Sequence, residues 1–262
     1  MANQGQRQDA IKQQSGNLAQ PDPSVSVSTI LVPQGAEYSA VCRGLRRIAQ
    51  PPRVVAIPAG PKPSSQFLRQ WLDHQASDRR QPQAILLMGL CGSLTARLRV
   101  ADAVLYEMCS AGNRSGAKEN DAICDPALTD WIGQRLQGRA ERVKGVSCDR
   151  IICTAIEKQQ LGRQSDAAVV DMEGWTTLTC LKQANLPGAI LRVISDDCHH
   201  NLPNLNSVLD SNGNLTPRNL AMAMVRRPGP ALHLIRGSLR GLAQLQTLTR
   251  QLFEYENEML LR

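Results

Sequence analysis

The sequence predicts an α/β fold: a single domain in which a central mixed, mostly parallel sheet is flanked by helices in three α/β/α layers. Apolar runs of strand length alternate with stretches of helical period from residue 27 to residue 201. Two of these runs, residues 84–90 and 189–195, are apolar almost throughout, which is typical of strands that helices cover on both faces. With 262 residues the chain is long enough to bury a sizeable core in one such domain.

The predicted elements follow one another regularly along the chain. Each strand is a short apolar run, and each helix carries apolar residues three and four positions apart. The patterns predict strands at 27–33, 53–59, 83–90, 99–109, 143–149, 167–172 and 188–195, and helices at 35–49, 65–75, 126–136 and 173–184. Residues 1–26, rich in Gln, Asn, Ser and Pro, predict a disordered polar tail, so residues 27–201 would form the α/β domain.

Residues 202–262 predict a helical C-terminal extension packed on the same domain. Within it, residues 231–255 form an amphipathic helical pattern. We expect the apolar face of this helix to pack across the sheet or against a second subunit. Because Arg236, Arg240 and Arg250 border the apolar stripe, peripheral contact with a membrane is the alternative.

Composition limits the classes of partner and the location. The net charge of +7 comes mainly from scattered arginines, and two Phe and three Tyr offer few rings on which bases could stack, so we expect no nucleic-acid partner. No apolar run has the length of a signal peptide or a membrane span. The eight cysteines include no CxxC pair and are interpreted as small buried apolar residues of a cytoplasmic protein.

No cofactor and no metal site is predicted. Cys198, His199 and His200 resemble metal ligands, but adjacent residues on an extended segment point to opposite sides, and no matching ligands accompany them. The glycine-containing segment 89–94 has neither the spacing of a dinucleotide-binding fingerprint nor the ending of a Walker loop.

Polar and glycine-containing clusters follow five of the predicted strands. Ligands of parallel α/β sheets collect beyond the carboxyl ends of the strands, so these clusters could share one pocket. They are Pro33–Glu37, Gly89–Ser93, Ser147–Ile152, Met172–Glu173 and Ser195–Asp197.

Carboxylates in two of these clusters are the candidates for chemistry. Asp196 directly follows a buried strand and adjoins Asp197, and a partly desolvated carboxyl group beside a like charge can keep a proton and act as a general acid. Glu173 begins a helix pattern and could accept hydrogen bonds from two sugar hydroxyls, with Met172 against the sugar. Taken singly, each carboxylate could equally cap a loop or a helix start.

Taken in order, four segments resemble the nucleoside phosphorylase and nucleosidase superfamily, which includes methylthioadenosine/S-adenosylhomocysteine nucleosidase. These segments are GLCGSLTARLRVADAVL, VSCDRII, VVDMEGW and LRVISDD, of which the last two are the most specific. The resemblance implies an enzyme, usually a homodimer, that cleaves the N-glycosidic bond of a purine nucleoside without a cofactor.

The resemblance also implies roles for individual residues. Asp196 would protonate N7 of an adenine base, Glu173 would hold the ribose hydroxyls, and Met172 would support the ribose. Ser195 would orient Asp196. The implied base-contacting residues are Ser195, Ile151, Ile152, Cys91 and Gly92.

The attacking nucleophile is water in some members of the superfamily and phosphate in others. The phosphorylases usually carry an arginine on the strand before the glycine turn, where this chain has Leu87 and Met88. In the hydrolases a glutamate after the first strand positions water, and Glu37 is the carboxylate available there. We therefore favour hydrolysis over phosphorolysis.

Three alternatives stay open. The C-terminal segment resembles hopanoid-associated phosphorylase-like proteins, which implies a lipid-linked nucleoside, adenosylhopane, as the substrate of a phosphorylase at the inner membrane face. A futalosine hydrolase-like enzyme would share Asp196 and Glu173. A catalytically inactive nucleoside-binding protein is the third.

Overall fold

The computed structural model of the chain describes residues 26–75, 84–112, 121–203 and 228–259, with the backbone alone for residues 255–259. Residues 1–25 of the predicted tail and residues 204–227 of the predicted extension lie outside these ranges. The strands are β1 (Val27–Pro33), β2 (Arg53–Ile57), β3 (Ala84–Ser93), β4 (Ala103–Ala111), β5 (Ala122–Ile123), β6 (Ala140–Ser147), β7 (Val169–Asp171) and β8 (Gly188–Asp196). The helices are α1 (Ala36–Leu45), α2 (Pro61–Gln75), α3 (Pro126–Arg135), α4 (Ala155–Ser165), α5 (Gly174–Gln183) and α6 (Pro228–Met259).

The predicted fold class is confirmed: a mixed sheet carries helices on both faces. Strands β1, β2, β3 and β8 pair in parallel, as do β4, β6 and β7, whereas β3–β7, β4–β5 and β4–β8 are antiparallel pairs. The pairings β3–β7–β6–β4–β8–β3 close a ring. This ring brings together strands that run in opposite directions.

The central strands are buried on both faces because their successive side chains enter two different cores. In β3, Leu86 and Met88 pack with α1, α3 and α6, whereas Ile85 and Leu87 pack with α2 and α5. The same alternation continues in β8. These strands are therefore apolar along almost their whole length because both of their faces are covered by helices.

The described part of the predicted C-terminal extension is the long helix α6. It packs against α1 and β8, and Arg43 Nε of α1 donates a hydrogen bond to Gln246 Oε1 of α6 at 3.1 Å. Near the start of α6, the helix backbone at Gly237 lies against the carbonyl of Ser195. The helix thereby covers the end of the strand that carries Asp196. Within the described ranges, none of the helices combines the length and the apolar character needed to cross a membrane.

The sequence prediction was wrong after residue 90 and missed one helix. Residues 91–93, expected to form a turn after a strand ending at residue 90, continue β3 to Ser93, because β7 and β8 pair with these last residues. Helix α4 was not predicted, since its Gln-rich and charged sequence has no long apolar stripe. Its N-terminus nevertheless carries a capping signal: Thr154 Oγ1 accepts a hydrogen bond from the N–H of Glu157 at 3.2 Å.

Candidate active site

A cavity of about 480 Å³ opens where β1, β3, β6, β7 and β8 end, within the range of small-molecule sites. Its lining includes every residue that the sequence singled out for a site: Glu37, Cys91, Gly92, Ile151, Ile152, Met172, Glu173, Ser195 and Asp196. The strand-end clusters therefore do meet. A larger depression of about 880 Å³ between α2 and α5 contains no carboxylate in its lining.

Asp196 lies on one wall and is held by two side chains. Ser195 Oγ donates a hydrogen bond to Asp196 Oδ2 at 2.7 Å and lies 3.2 Å from the carbonyl of Cys91. Lys158 Nζ forms an ion pair with Asp196 Oδ1 and donates to the carbonyl of Asp197 at 2.8 Å. Gly92 leaves room for this carboxylate, since a Cβ there would lie 3.0 Å from Asp196 Oδ1.

Lys158 places beside Asp196 a cation that the sequence pattern around Asp196 and Asp197 does not contain. Its ammonium group is 1% exposed. A lysine so deeply buried requires a partner, and Asp196 is that partner. Asp196 is therefore one half of a buried ion pair.

Arg192 is fully buried and forms ion pairs with two lining residues, Asp171 and Glu173. Its Nε and Nη2 lie 3.2 and 3.0 Å from Asp171 Oδ2, and Nη2 lies 3.1 Å from Glu173 Oε2. Burial opposes the charge of Arg192, but Asp171 and Glu173 outweigh it and raise the pKa further above its usual range. Asp171 is fixed in turn by Ser147 Oγ at 2.5 Å and by the N–H of Gly174 at 3.1 Å.

Glu173 stands at the N-terminus of α5 with both oxygens engaged. The N–H of Gly60 donates to Oε1 at 2.8 Å, and Arg192 donates to Oε2. Burial raises the pKa of Glu173 against the opposing charge of Arg192. Each carboxylate oxygen keeps a further lone pair, so Glu173 can still accept hydrogen bonds from a ligand.

Glu37, in the first turn of α1, also lies near the Arg192 guanidinium. Gly35 precedes the helix with φ 102°, a conformation that favours glycine and lets the chain turn from β1 into α1. The N–H of Leu90 donates to Glu37 Oε1 at 2.6 Å. Burial of the carboxyl group raises its pKa to about 7, although Arg192 and this N–H oppose the shift.

The side chains of Glu37 and Arg192 both lie close to the Cα atom of Gly89. A Cβ at position 89 would meet Arg192 Nη1 and would lie 2.6 Å from Glu37 Oε1. Arg192 Nη1 is buried and has no hydrogen-bond partner among the described residues. Because a buried unpaired donor is costly, this atom is suited to bind a ligand or a water molecule.

The remaining lining of the cavity is mainly apolar. Ile151 and Ile152 follow β6, Ile152 being buried and Ile151 half-buried. Leu202 completes this apolar wall, and its N–H donates to the carbonyl of Cys153 at 2.8 Å. Met172 is half-buried between this wall and Glu173.

Lys158 and Leu202 line the cavity outside the predicted strand-end clusters. Arg192, which holds the lining residues Asp171 and Glu173, was not predicted either. A charged residue inside the apolar run 189–195 was a usable signal for Arg192, because a buried arginine must be paired. The capping pattern Thr154–Glu157 could have located the helix that carries Lys158. No sequence signal indicated Leu202, whose position depends on how the chain folds back after β8.

A mixed α/β sheet with an acidic cavity at its strand ends defines a class of proteins that bind small molecules there. Within that class, residues 23–221 match the model of the phosphorylase superfamily. The chain therefore belongs to the phosphorylase superfamily and is an enzyme of it.

Solved structures share the fold at low sequence identity. A futalosine hydrolase mutant of Helicobacter pylori has a TM-score of 0.64 at 12% identity, over 88% of this chain and 100% of that chain. The 5′-methylthioadenosine/S-adenosyl homocysteine nucleosidase of Helicobacter pylori has a TM-score of 0.64 at 12% identity, over 87% and 97%. An S-adenosylhomocysteine nucleosidase from Streptococcus pyogenes has a TM-score of 0.60 at 14% identity, over 87% and 98%. No curated protein sequence matches the chain.

Proposed function

We propose that the chain hydrolyses the N-glycosidic bond of an adenine nucleoside in the 480 Å³ cavity. The observation that carries this proposal is that two separate charged groups meet at one cavity. The lining contains the Lys158–Asp196 ion pair, and it also contains Glu37 and Glu173, of which Glu173 is paired with the buried Arg192. The solved structures of similar fold include proteins described as nucleosidases, which supports the same bond as the target.

The base would bind beside Asp196, between the two isoleucines of the apolar wall. In the proposed reaction Asp196 transfers to N7 a proton that Lys158 Nζ supplies, and the electrons of the C1′–N9 bond pass to the base as that bond breaks. Ser195 keeps the carboxylate in position through its hydrogen bond to Oδ2. Protonation makes the base a better leaving group, which is the contribution of a general acid.

The ribose would bind beside Met172 and Glu173. Glu173, whose position is set by Gly60 and Arg192, would accept hydrogen bonds from the 2′ and 3′ hydroxyls. As the glycosidic bond stretches, positive charge develops on the sugar, and carboxylates nearby stabilise it.

Water fits the nucleophile position better than phosphate. The strand before the glycine segment carries no arginine, since Leu87 and Met88 are fully buried apolar residues, but Arg192 brings a guanidinium from β8. The Arg192 guanidinium is surrounded by Glu37, Asp171 and Glu173, so the local field there opposes a phosphate dianion. A water molecule between Arg192 Nη1 and Glu37 would satisfy the unpaired donor and would transfer a proton to Glu37 as it attacks C1′.

The test is release of free base from adenosine, methylthioadenosine, S-adenosylhomocysteine, futalosine and adenosylhopane, each with and without phosphate. Hydrolysis predicts a free sugar in both conditions, whereas ribose 1-phosphate would identify a phosphorylase. Asp196→Asn should abolish most activity, and Asp73→Asn, on the exposed side of α2, is the matched control. A purified protein that binds these nucleosides but releases no base would instead be the inactive binding protein.

A lipid-linked nucleoside is the second candidate substrate, because an exposed apolar stripe lies beside the site. The exposed fractions are 48% for Leu232, 39% for Ile235 and 62% for Leu239, all in α6. The arginines that directly follow Ile235 and Leu239, namely Arg236 and Arg240, are also exposed. Such a basic amphipathic face can lie on an anionic membrane, or the same stripe could pair two copies of the chain.

Liposome co-sedimentation and light scattering separate these two uses of the stripe. Contact with a membrane predicts binding to vesicles with anionic lipid that is lost when the three stripe residues are replaced by Ser. Ile123→Ser with Ile156→Ser is the control, since both are exposed apolar residues elsewhere. A homodimer that uses the stripe predicts a monomer after the same triple substitution.

A further inference from the structure

A second cluster of ligating side chains lies outside the cavity, at the junction of the loop after β8 and helix α6. Its members are Asp197, His200 and His233. One ligand atom of each lies within 4.8 Å of the others. Asp197 and His200 come from the loop, whereas His233 is in the second turn of α6, so the cluster joins two segments that are distant in sequence.

The distances within the cluster suit one metal ion. His200 Nδ1 lies 2.9 and 3.0 Å from the two Asp197 oxygens, and His233 Nε2 lies 3.4 Å from Asp197 Oδ2. The two imidazole rings are tilted by 30° relative to one another, with centroids 4.1 Å apart. A tetrahedral ion with ligands at roughly 2.0–2.2 Å keeps its ligand atoms about 3.3–3.6 Å apart, so small movements would accommodate it.

A separate observation concerns His233. Its Nε2 atom is buried and makes no hydrogen bond within the described part of the chain. Asp197 Oδ2 is near this atom, but the contact lacks the geometry of a hydrogen bond. Asp197 is meanwhile held in place by the N–H groups of His199 and His200, which donate to Oδ1 at 2.8 and 3.0 Å. Such outer contacts commonly orient metal-binding carboxylates.

We propose that Asp197, His200 and His233 bind a divalent transition metal of the zinc class. Two imidazoles with one carboxylate favour zinc, cobalt or nickel over magnesium and calcium, which prefer oxygen ligands. His200 would bind through Nδ1 after releasing its proton, and His233 through Nε2. The sequence indicated no metal site because adjacent residues point apart, and the missing ligand, His233, is supplied only when α6 packs on the loop.

The bound ion would fasten α6 to the loop that begins directly after Asp196. It would therefore stabilise the folded chain at the rim of the cavity, since a ligand that binds only the folded state raises the temperature of unfolding. This role is independent of the reaction proposed for the cavity.

The experiment is a titration of the chelator-treated full chain with Co²⁺, followed by visible absorption, and with Zn²⁺, followed by calorimetry and thermal unfolding. We expect one ion per chain, absorption without a sulfur-to-metal band, and a rise in the unfolding temperature. His200→Ala and His233→Ala should weaken binding by about tenfold or more and remove the rise. His199→Ala is the matched control, because it is the same change one residue away and should leave both unchanged. The proposal would be overturned if wild type bound no ion at micromolar concentrations, or if His200→Ala and His233→Ala bound as wild type does.

Discussion

Replacing Asp196 by Asn should have two effects, one on the reaction and one on stability. The variant removes the carboxyl group proposed to protonate the base. It also leaves Lys158, which is 1% exposed, without its ionic partner. Replacing Lys158 by Met at the same time removes the buried charge, and Met has a similar length and fits an apolar site. The double variant therefore separates the two effects.

The expected magnitudes differ for the two measurements. Loss of a general acid lowers turnover by roughly 10²–10⁴-fold. Breaking one partner out of a buried ion pair costs about 3–5 kcal/mol of unfolding free energy, a large part of the roughly 5–15 kcal/mol that a typical domain has. The Asp196→Asn variant should therefore have both a lower turnover and a lower free energy of unfolding than wild type. Asp196→Asn with Lys158→Met should regain most of the stability and remain slow.

Two assays on the same samples test this reasoning. Base release by chromatography gives turnover, and urea unfolding gives stability. A double variant that releases adenine within about tenfold of the wild-type rate would refute Asp196 as the acid, because a general acid contributes at least about 10²-fold. An Asp196→Asn variant as stable as wild type would refute the buried ion pair.

Four further predictions concern Glu37, Arg192 and Gly89. Because Glu37 has a pKa raised to about 7 by burial and would act as a base only when ionised, kcat/KM should fall as the pH drops through about 7, and Glu37→Gln should be slow at every pH. A pH profile of kcat/KM decides this, since kcat/KM reports the ionisation of the free enzyme. The same raised pKa means that ionisation of Glu37 weakens the wild-type fold as the pH rises from 4.5 to about 7, so Glu37→Gln should gain stability relative to wild type over that interval in urea unfolding. Arg192→Met leaves Asp171 and Glu173 buried without a counterion and should cost about 3–5 kcal/mol; an unchanged urea midpoint would contradict the ion-pair network. Gly89→Ala should reduce activity by displacing Glu37 and Arg192, whereas Gly229→Ala, where a Cβ meets nothing within 4 Å, should keep wild-type turnover.

The expectation that ligands bind beyond the carboxyl ends of parallel strands located the candidate site. The sheet is parallel only in part, so the expectation explains only some of the clusters. In an all-parallel sheet the carboxyl ends meet at one edge, and this accounts for the clusters after β1, β3 and β8. Strands β6 and β7 run opposite to β3. Their ends reach the same cavity because β7 is only three residues long and pairs antiparallel with the last residues of β3, with Gly92 opposite Val170.

Local patterns in the sequence determined the alternation of strands and helices, the burial of the central strands and the carboxylates at their ends. These features depend on side-chain periodicity and on residues that are neighbours in the chain. The carboxylates were visible because Asp196 and Glu173 each interrupt an apolar pattern where an element ends. A buried arginine within an apolar strand was equally visible in the sequence, but its partners were not.

Only the tertiary structure decided which charges face each other. Lys158 meets Asp196 across 38 positions of sequence, Arg192 meets Asp171 across 21, and His233 of α6 meets Asp197 across residues 204–227. Such pairings depend on which strands pair and where a helix packs, and no residue pattern within either segment records its partner. Asp196, which the sequence presented as one of two adjacent carboxylates, is in the fold one half of a buried ion pair.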